Sequence, residues 1–155
     1  MTRFIVLVGL LAALLAGTCW SQGFTFRIGN PVASQDYQFK VAAFVFRTEG
    51  CADPAKAKVA ATAEGLIKGE RRSIDLQVVA ASKSGIYAVQ QAWPSAGNWV
   101  VALRGTCGDA TAGAIVPFNR QGFIRESSKF LSRPAKTSDI EESLKALADR
   151  SKEEK

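Results

Sequence analysis

The stretch Ser84–Leu103, SGIYAVQQAWPSAGNWVVAL, decides the fold class. Gly85 interrupts the run before it, and then Tyr87, Val89, Gln91 and Trp93 fall on one face of an extended chain while Ile86, Ala88 and Gln90 fall on the other. Residues Pro94 to Asn98 supply a reversal, after which Trp99, Val101 and Leu103 alternate with Val100, Ala102 and Arg104. Two successive runs of period two, each presenting aromatic and aliphatic side chains to one side, predict a pair of neighbouring strands in a β-sandwich.

Toward the amino end the same period recurs. In Arg71–Ala81, Ile74, Leu76 and Val78 face inward against Ser73, Asp75 and Gln77, the cleanest alternation in the chain. Lys56–Ile67 carries alanines and Glu64 that suit a helix, but Val59, Ala61 and Ala63 alternate and Gly65 disfavours a continuous helix, so a strand is predicted. Tyr37–Phe46 reads as a central strand partly covered on both sides, with Tyr37, Phe39, Val41, Ala43 and Val45 on one face and Phe44 and Phe46 joining the other near its end. Phe24, Phe26 and Ile28 make an edge strand ended by Asn30-Pro31. Toward the carboxyl end, Thr106–Gly113 reads as a Gly-rich loop and Ala114–Phe118 as a last short strand. About seven strands at this spacing predict an all-β, immunoglobulin-like antiparallel β-sandwich.

Residues 22–119 are assigned to the sandwich and 120–137 to a polar, basic connecting segment that packs loosely across it. Residues 138–155 are assigned to an amphipathic helix with a frayed tail. Ser138 and Glu141 have the spacing of a capping box, and Ile140, Leu144 and Leu147 share one helical face. Such a stripe docks on its own domain, on a partner, or on nothing; the first is the expectation.

The opening residues 1–21 read as a cleaved signal peptide. Arg3 precedes an apolar run from Phe4 to Ala16, and Cys19 and Ser21 stand three before and one before a cut ahead of Gln22. An uncleaved N-terminal anchor is the alternative, although the run is shorter than the roughly 20 residues that span a bilayer comfortably. Periplasmic or secreted location follows, with no stable membrane span after cleavage. Arg3 is one of 20 basic residues, so its removal leaves 19 against 14 acidic, a net of +5. The basic residues are interspersed with acids rather than gathered into a stripe, which favours an ordinary solvated surface over a nucleic-acid footprint. No nucleic acid is expected, and an anionic envelope ligand or an unknown protein is the expected partner.

The chain contains no histidine, and Met1 is its one methionine. Imidazole general bases, Ser-His-Asp and Cys-His arrangements, and imidazole or thioether metal sites are therefore excluded. The acids fall in turns (Asp53, Glu70, Asp109) and in the terminal helix (Asp139, Glu141, Glu142), where capping and solvation account for them. No phosphate cradle or dinucleotide fingerprint is present. Catalytic, cofactor and metal residues are accordingly expected to be none, and an enzyme with an acid-only site is the remaining catalytic alternative.

With Cys19 lost in the signal, Cys51 and Cys107 remain, an even count in a chain addressed to an oxidising compartment. A disulfide is expected, the alternatives being two free thiols or, without a C-x-x-C spacing, a redox pair. Up-and-down strand order puts the loops holding both cysteines at one pole. The other pole then gathers Asn30–Asp36, Lys68–Arg72 and Trp93–Asn98. There Trp93, Arg71 and Arg72 are candidate ligand residues, since an indole with guanidinium groups grips anionic or sugar-like ligands. The competing reading is that Trp93 caps the core and the arginines are solvated.

The pattern Gly85-x-Tyr87, then Pro94-x-x-Gly97-x-Trp99, resembles the last two strands of exported YtkA-like and FixH-like sandwich domains. That resemblance implies a Greek-key sandwich outside a membrane, in families linked to copper handling or respiratory-complex assembly. The histidine and methionine ligands of a copper carrier are missing, so fold and compartment alone carry over. The expectation is a non-catalytic exported binding or accessory module of the cell envelope, with a copper-handling or respiratory-assembly accessory as the alternative.

Overall fold

The computed structural model describes residues 23–31 and 36–153. The signal segment, Cys19 and the cut before Gln22 lie outside the described residues, as does most of the Asn30–Asp36 loop. Two antiparallel sheets pack face to face. Sheet A contains β1 (Thr25–Gly29), β2 (Phe44–Glu49), β5 (Val78–Ala80) and β6 (Ile86–Val89), in the order β1-β2-β6-β5. Sheet B contains β3 (Lys58–Ile67), β4 (Glu70–Leu76), β7 (Asn98–Cys107), β8 (Ala110–Asn119) and β10 (Lys129–Leu131), in the order β10-β8-β7-β3-β4, with the short β9 (Gly122–Phe123) also paired to β8. Helix α1 (Tyr37–Lys40) is one turn, and α2 (Thr137–Glu153) is the long terminal helix. Among the described residues, no helix is long and apolar enough to cross a membrane.

The central core follows from strand alternation. Phe24, Phe26, Phe44, Phe46, Tyr87 and Val89 point from sheet A into the interior; Ala61, Ala63, Trp99, Val101, Leu103, Ala114, Val116 and Phe118 point from sheet B. Aromatic rings fill much of this layer: Phe26 stands edge-on to Phe46 at 5.5 Å between centroids, and Phe46 stacks on Tyr87 at 5.2 Å. Leu76, with Ile74 and Val78 partly buried beside it, belongs to the same core, in agreement with the alternation of Arg71–Ala81.

Several sequence expectations are corrected in detail. The runs around Tyr87 and Trp99 are consecutive but unpaired: β6 hydrogen-bonds to β2 and β5, and β7 to β3 and β8, so Gln90–Gly97 crosses between sheets. Tyr37–Phe46 is not one strand. Residues 37–40 form α1, and the core-facing residues of β2 are Phe44 and Phe46, while Val45 faces outward under Phe39. The run Arg71–Ala81 is two strands, β4 in sheet B and β5 in sheet A, divided at Gln77. Thr106–Gly113 is a tight hairpin end, with Cys107 paired to Ala110 and only Gly108-Asp109 between the strands. The segment 120–137 is ordered, since β9 and β10 both pair with β8.

Outer layers complete the packing. On sheet B, Ile140, Leu144 and Leu147 of α2 cover Val100, Ala102 and Ile115, so the helix docks on its own domain. Its amino end is set by Asp139, whose carboxylate accepts the Lys136 amide at 2.7 Å. Asp139, rather than Glu141 of the expected box, therefore reaches back, and Glu141 instead receives Arg71 at 3.0 Å. On sheet A, Phe39 and Ala42 sit over Ala88, with Val45, Val79 and Ile86 beside them.

Candidate functional site

Cys51 follows β2 in sheet A, and Cys107 ends β7 in sheet B. Their Cα atoms are 5.9 Å apart and their sulfurs stand at disulfide distance, so the pair spans the two sheets at one pole, 56 residues apart in sequence. The registers Thr25↔Glu49 and Cys107↔Ala110 put the start of β1 and the β7–β8 turn at this same end.

The β3–β4 turn, the start of β7 and the end of β8 lie together at the other end, through Leu66↔Asn98 and Trp99↔Phe118. The expected grouping of Lys68–Arg72 with Trp93–Asn98 is therefore present at the level of chain segments. The structure does not bring its three candidate side chains together on one surface. Trp93 is buried, its ring edge-on to Phe118 at 4.8 Å. Arg71 and Arg72 point to opposite faces of β4. Arg71 lies between Glu64, 3.4 Å away, and Glu141 of α2, while Arg72 pairs with Glu70 at 2.9 Å. Glu64, 9% exposed, also accepts the Ser73 hydroxyl at 2.7 Å, so this cluster clamps β3, β4 and α2.

At this pole, on the β1–β8 side, a cleft of about 400 Å³ opens beside β9. Pro31, Ala43 and Phe123 give it apolar walls, and Asn30, Gln121, Arg125 and Glu126 give it a polar rim. Phe123 is held from within by Phe44 and Phe118, at centroid distances of 6.2 and 6.5 Å. The Gly122 backbone, at φ +130°, turns β8 into β9 in a conformation that side chains disfavour. Arg125 and Glu126 stand in a 3₁₀ turn, Arg125–Ser127, closed by Ser128 N–H donating to the Arg125 carbonyl at 3.1 Å. The Arg125 guanidinium carbon lies 5.6 Å from the centre of the Phe123 ring.

Of the cleft residues, the sequence places Asn30 and Pro31 at this pole, but it names none of the lining side chains as a candidate ligand residue. The β1–β2 pairing brings residues 30 and 43 together in one sheet, the β8–β9 pairing places residues 121–126 on the other, and the packing of the two sheets through Phe44 and Phe123 joins them, which no local pattern reports. Among the described residues, no group of three or more histidine, cysteine, aspartate or glutamate side chains is arranged to hold a metal ion. No protein-family model, curated protein or solved structure matches the chain.

Proposed function

We propose that the chain is an exported, non-catalytic binding or accessory module of the cell envelope, periplasmic or secreted. The observation that carries this reading is the Cys51–Cys107 pair at disulfide distance, which ties one sheet to the other where a chain kept in a reducing compartment would hold two thiols. The signal-like opening residues and the cleft beside β9 support it. The non-catalytic part rests on the absence of histidine from the sequence and on the commitment of Glu64 to Ser73 and Arg71.

The test is to express the full chain with its own opening residues, fractionate the cells, and alkylate the protein under denaturing conditions. A chain beginning near Gln22 in the envelope or medium, with neither cysteine alkylated, is the expected result. Full-length protein in the cytosol with all three cysteines, Cys19, Cys51 and Cys107, reactive would overturn the reading.

A further inference from the structure

Five arginines of the described structure stand against carboxylates: Arg27 and Arg47 share Glu49, Arg71 lies between Glu64 and Glu141, Arg72 pairs with Glu70, and Arg133 with Asp139. Among the described residues Arg104, Arg120, Arg125 and Arg150 have no such carboxylate, and of these four Arg125 lines the cleft beside β9, with Glu126 next to it. Among the described residues, the guanidinium has only the Phe123 ring beneath it, and neither it nor the adjacent carboxylate is taken up in an ion pair or side-chain hydrogen bond. A cation and an anion, consecutive in one closed turn, thus stand at the same cleft with their charges unspent.

We propose that this cleft binds a small zwitterion with an apolar side chain, of the α-amino-acid class, an assignment that rests on the reading of the protein as a binding module. A purely anionic ligand would meet the Glu126 carboxylate, and a purely cationic one the Arg125 guanidinium; a zwitterion satisfies both. Its carboxylate accepts from Arg125 in the forked geometry that guanidinium favours, and its ammonium donates to Glu126. Its side chain lies against Phe123, Pro31 and Ala43. The cleft volume falls within the roughly 300–1,000 Å³ range of small-molecule sites.

The test is a backbone-amide NMR titration of the purified protein with L-phenylalanine, L-tyrosine and L-leucine, and with the two half-ligands phenylacetate and phenethylamine. At least one amino acid should shift the resonances of Gly122–Ser128 and bind about tenfold tighter than either half-ligand. Arg125→Gln and Glu126→Gln, both at exposed positions, should each weaken that binding about tenfold, and Arg125→Gln alone should remove phenylacetate. No shift with any of the three amino acids at about 10 mM, half-ligands that bind as well as the whole, or variants that bind unchanged would each overturn the proposal. The titration uses purified protein, so its failure is independent of the fractionation result: an exported, disulfide-bonded chain that ignores amino acids loses only the ligand class.

Discussion

Sheet B carries on its outer face a helix of 17 residues, anchored by Ile140, Leu144 and Leu147 and by three ionic ties, whereas sheet A carries one turn of four residues anchored by Phe39. The ties on the first side run from Arg71 to Glu141, from Lys129 to Glu142, and from Arg133 to Asp139. The contrast shows in the strands beneath. In β7, Trp99, Val100, Val101, Ala102 and Leu103 are all buried, because the central core takes one face and α2 the other. In β2, the outward positions are Val45, Arg47 and Glu49, half-covered or wet. Sheet B is thus the middle layer of a three-layer body, while sheet A remains an outer layer with a small patch on it.

The largest effect bears on what joins the two layers. Removing the bridge at Cys51 and Cys107 releases a closed loop of 56 residues, which in the chain-entropy model costs about 4 kcal/mol. Cys51→Ser and Cys107→Ser should lower the melting temperature equally, with the double variant no worse than either; unequal losses in calorimetry would mean that the sulfurs act separately. Next come the outer covers. Leu144→Ala should cost about 2–5 kcal/mol in denaturant unfolding, because the pocket it leaves lies between a rigid helix and a central sheet. Phe39→Ala should cost less, roughly 1–2 kcal/mol, because a single turn can settle onto the gap. Equal costs would erase the contrast between a structural layer and a patch.

A smaller effect sharpens the comparison at the helix start. The Arg133 guanidinium, and then the Lys136 amide, hold the Asp139 carboxyl at about 2, against an ordinary 3.8. In the unfolded chain this group takes up its proton near pH 4, while the folded form resists until about pH 2. The stabilisation is therefore fully present above about pH 4 and is lost as pH falls toward 2. The melting-temperature gap between the native protein and Asp139→Asn should close over that window; a gap that persists at pH 2 would mean that Asp139 acts without its charge. Smallest of all is Tyr37→Ser. Its ring is 75% exposed on the lightly covered side, so stability should change by less than about 0.5 kcal/mol.

The same asymmetry explains what the sequence discloses. The alternation in Arg71–Leu76 is readable because β4 is an edge strand with Arg71, Ser73 and Asp75 outward on the sheet. The extent of β7 and β8 is hidden, because glycine is read locally as a loop. Gly105 is instead a strand position where a side chain would strike the Phe26 ring, and Gly113 is one where the Arg133–Ala135 connection crosses against the backbone. Tyr37, Phe39 and Val41 mislead because a two-residue period over so short a span fits a helical turn as well, and the opposite parity, Phe44 and Phe46, faces the core. At the candidate ligand pole the chain segments were readable from strand direction, but the side chains were not. Whether an arginine is free depends on carboxylates such as Glu141, which lies 70 residues away in sequence from Arg71.

Because α2 follows every strand it covers, the sheet can be made without its cover. A chain that stops before Thr137 holds β3, β7 and β8 without α2, and Val100, Ala102 and Ile115 then form a bare aliphatic strip across the middle of sheet B. Chains truncated before Thr137 should accordingly be captured by holdase chaperones and cut by protease, and chains that run through Glu153 should escape both. The terminal helix would then act as the domain's quality-control checkpoint, the segment whose arrival separates a client of the folding machinery from a finished protein.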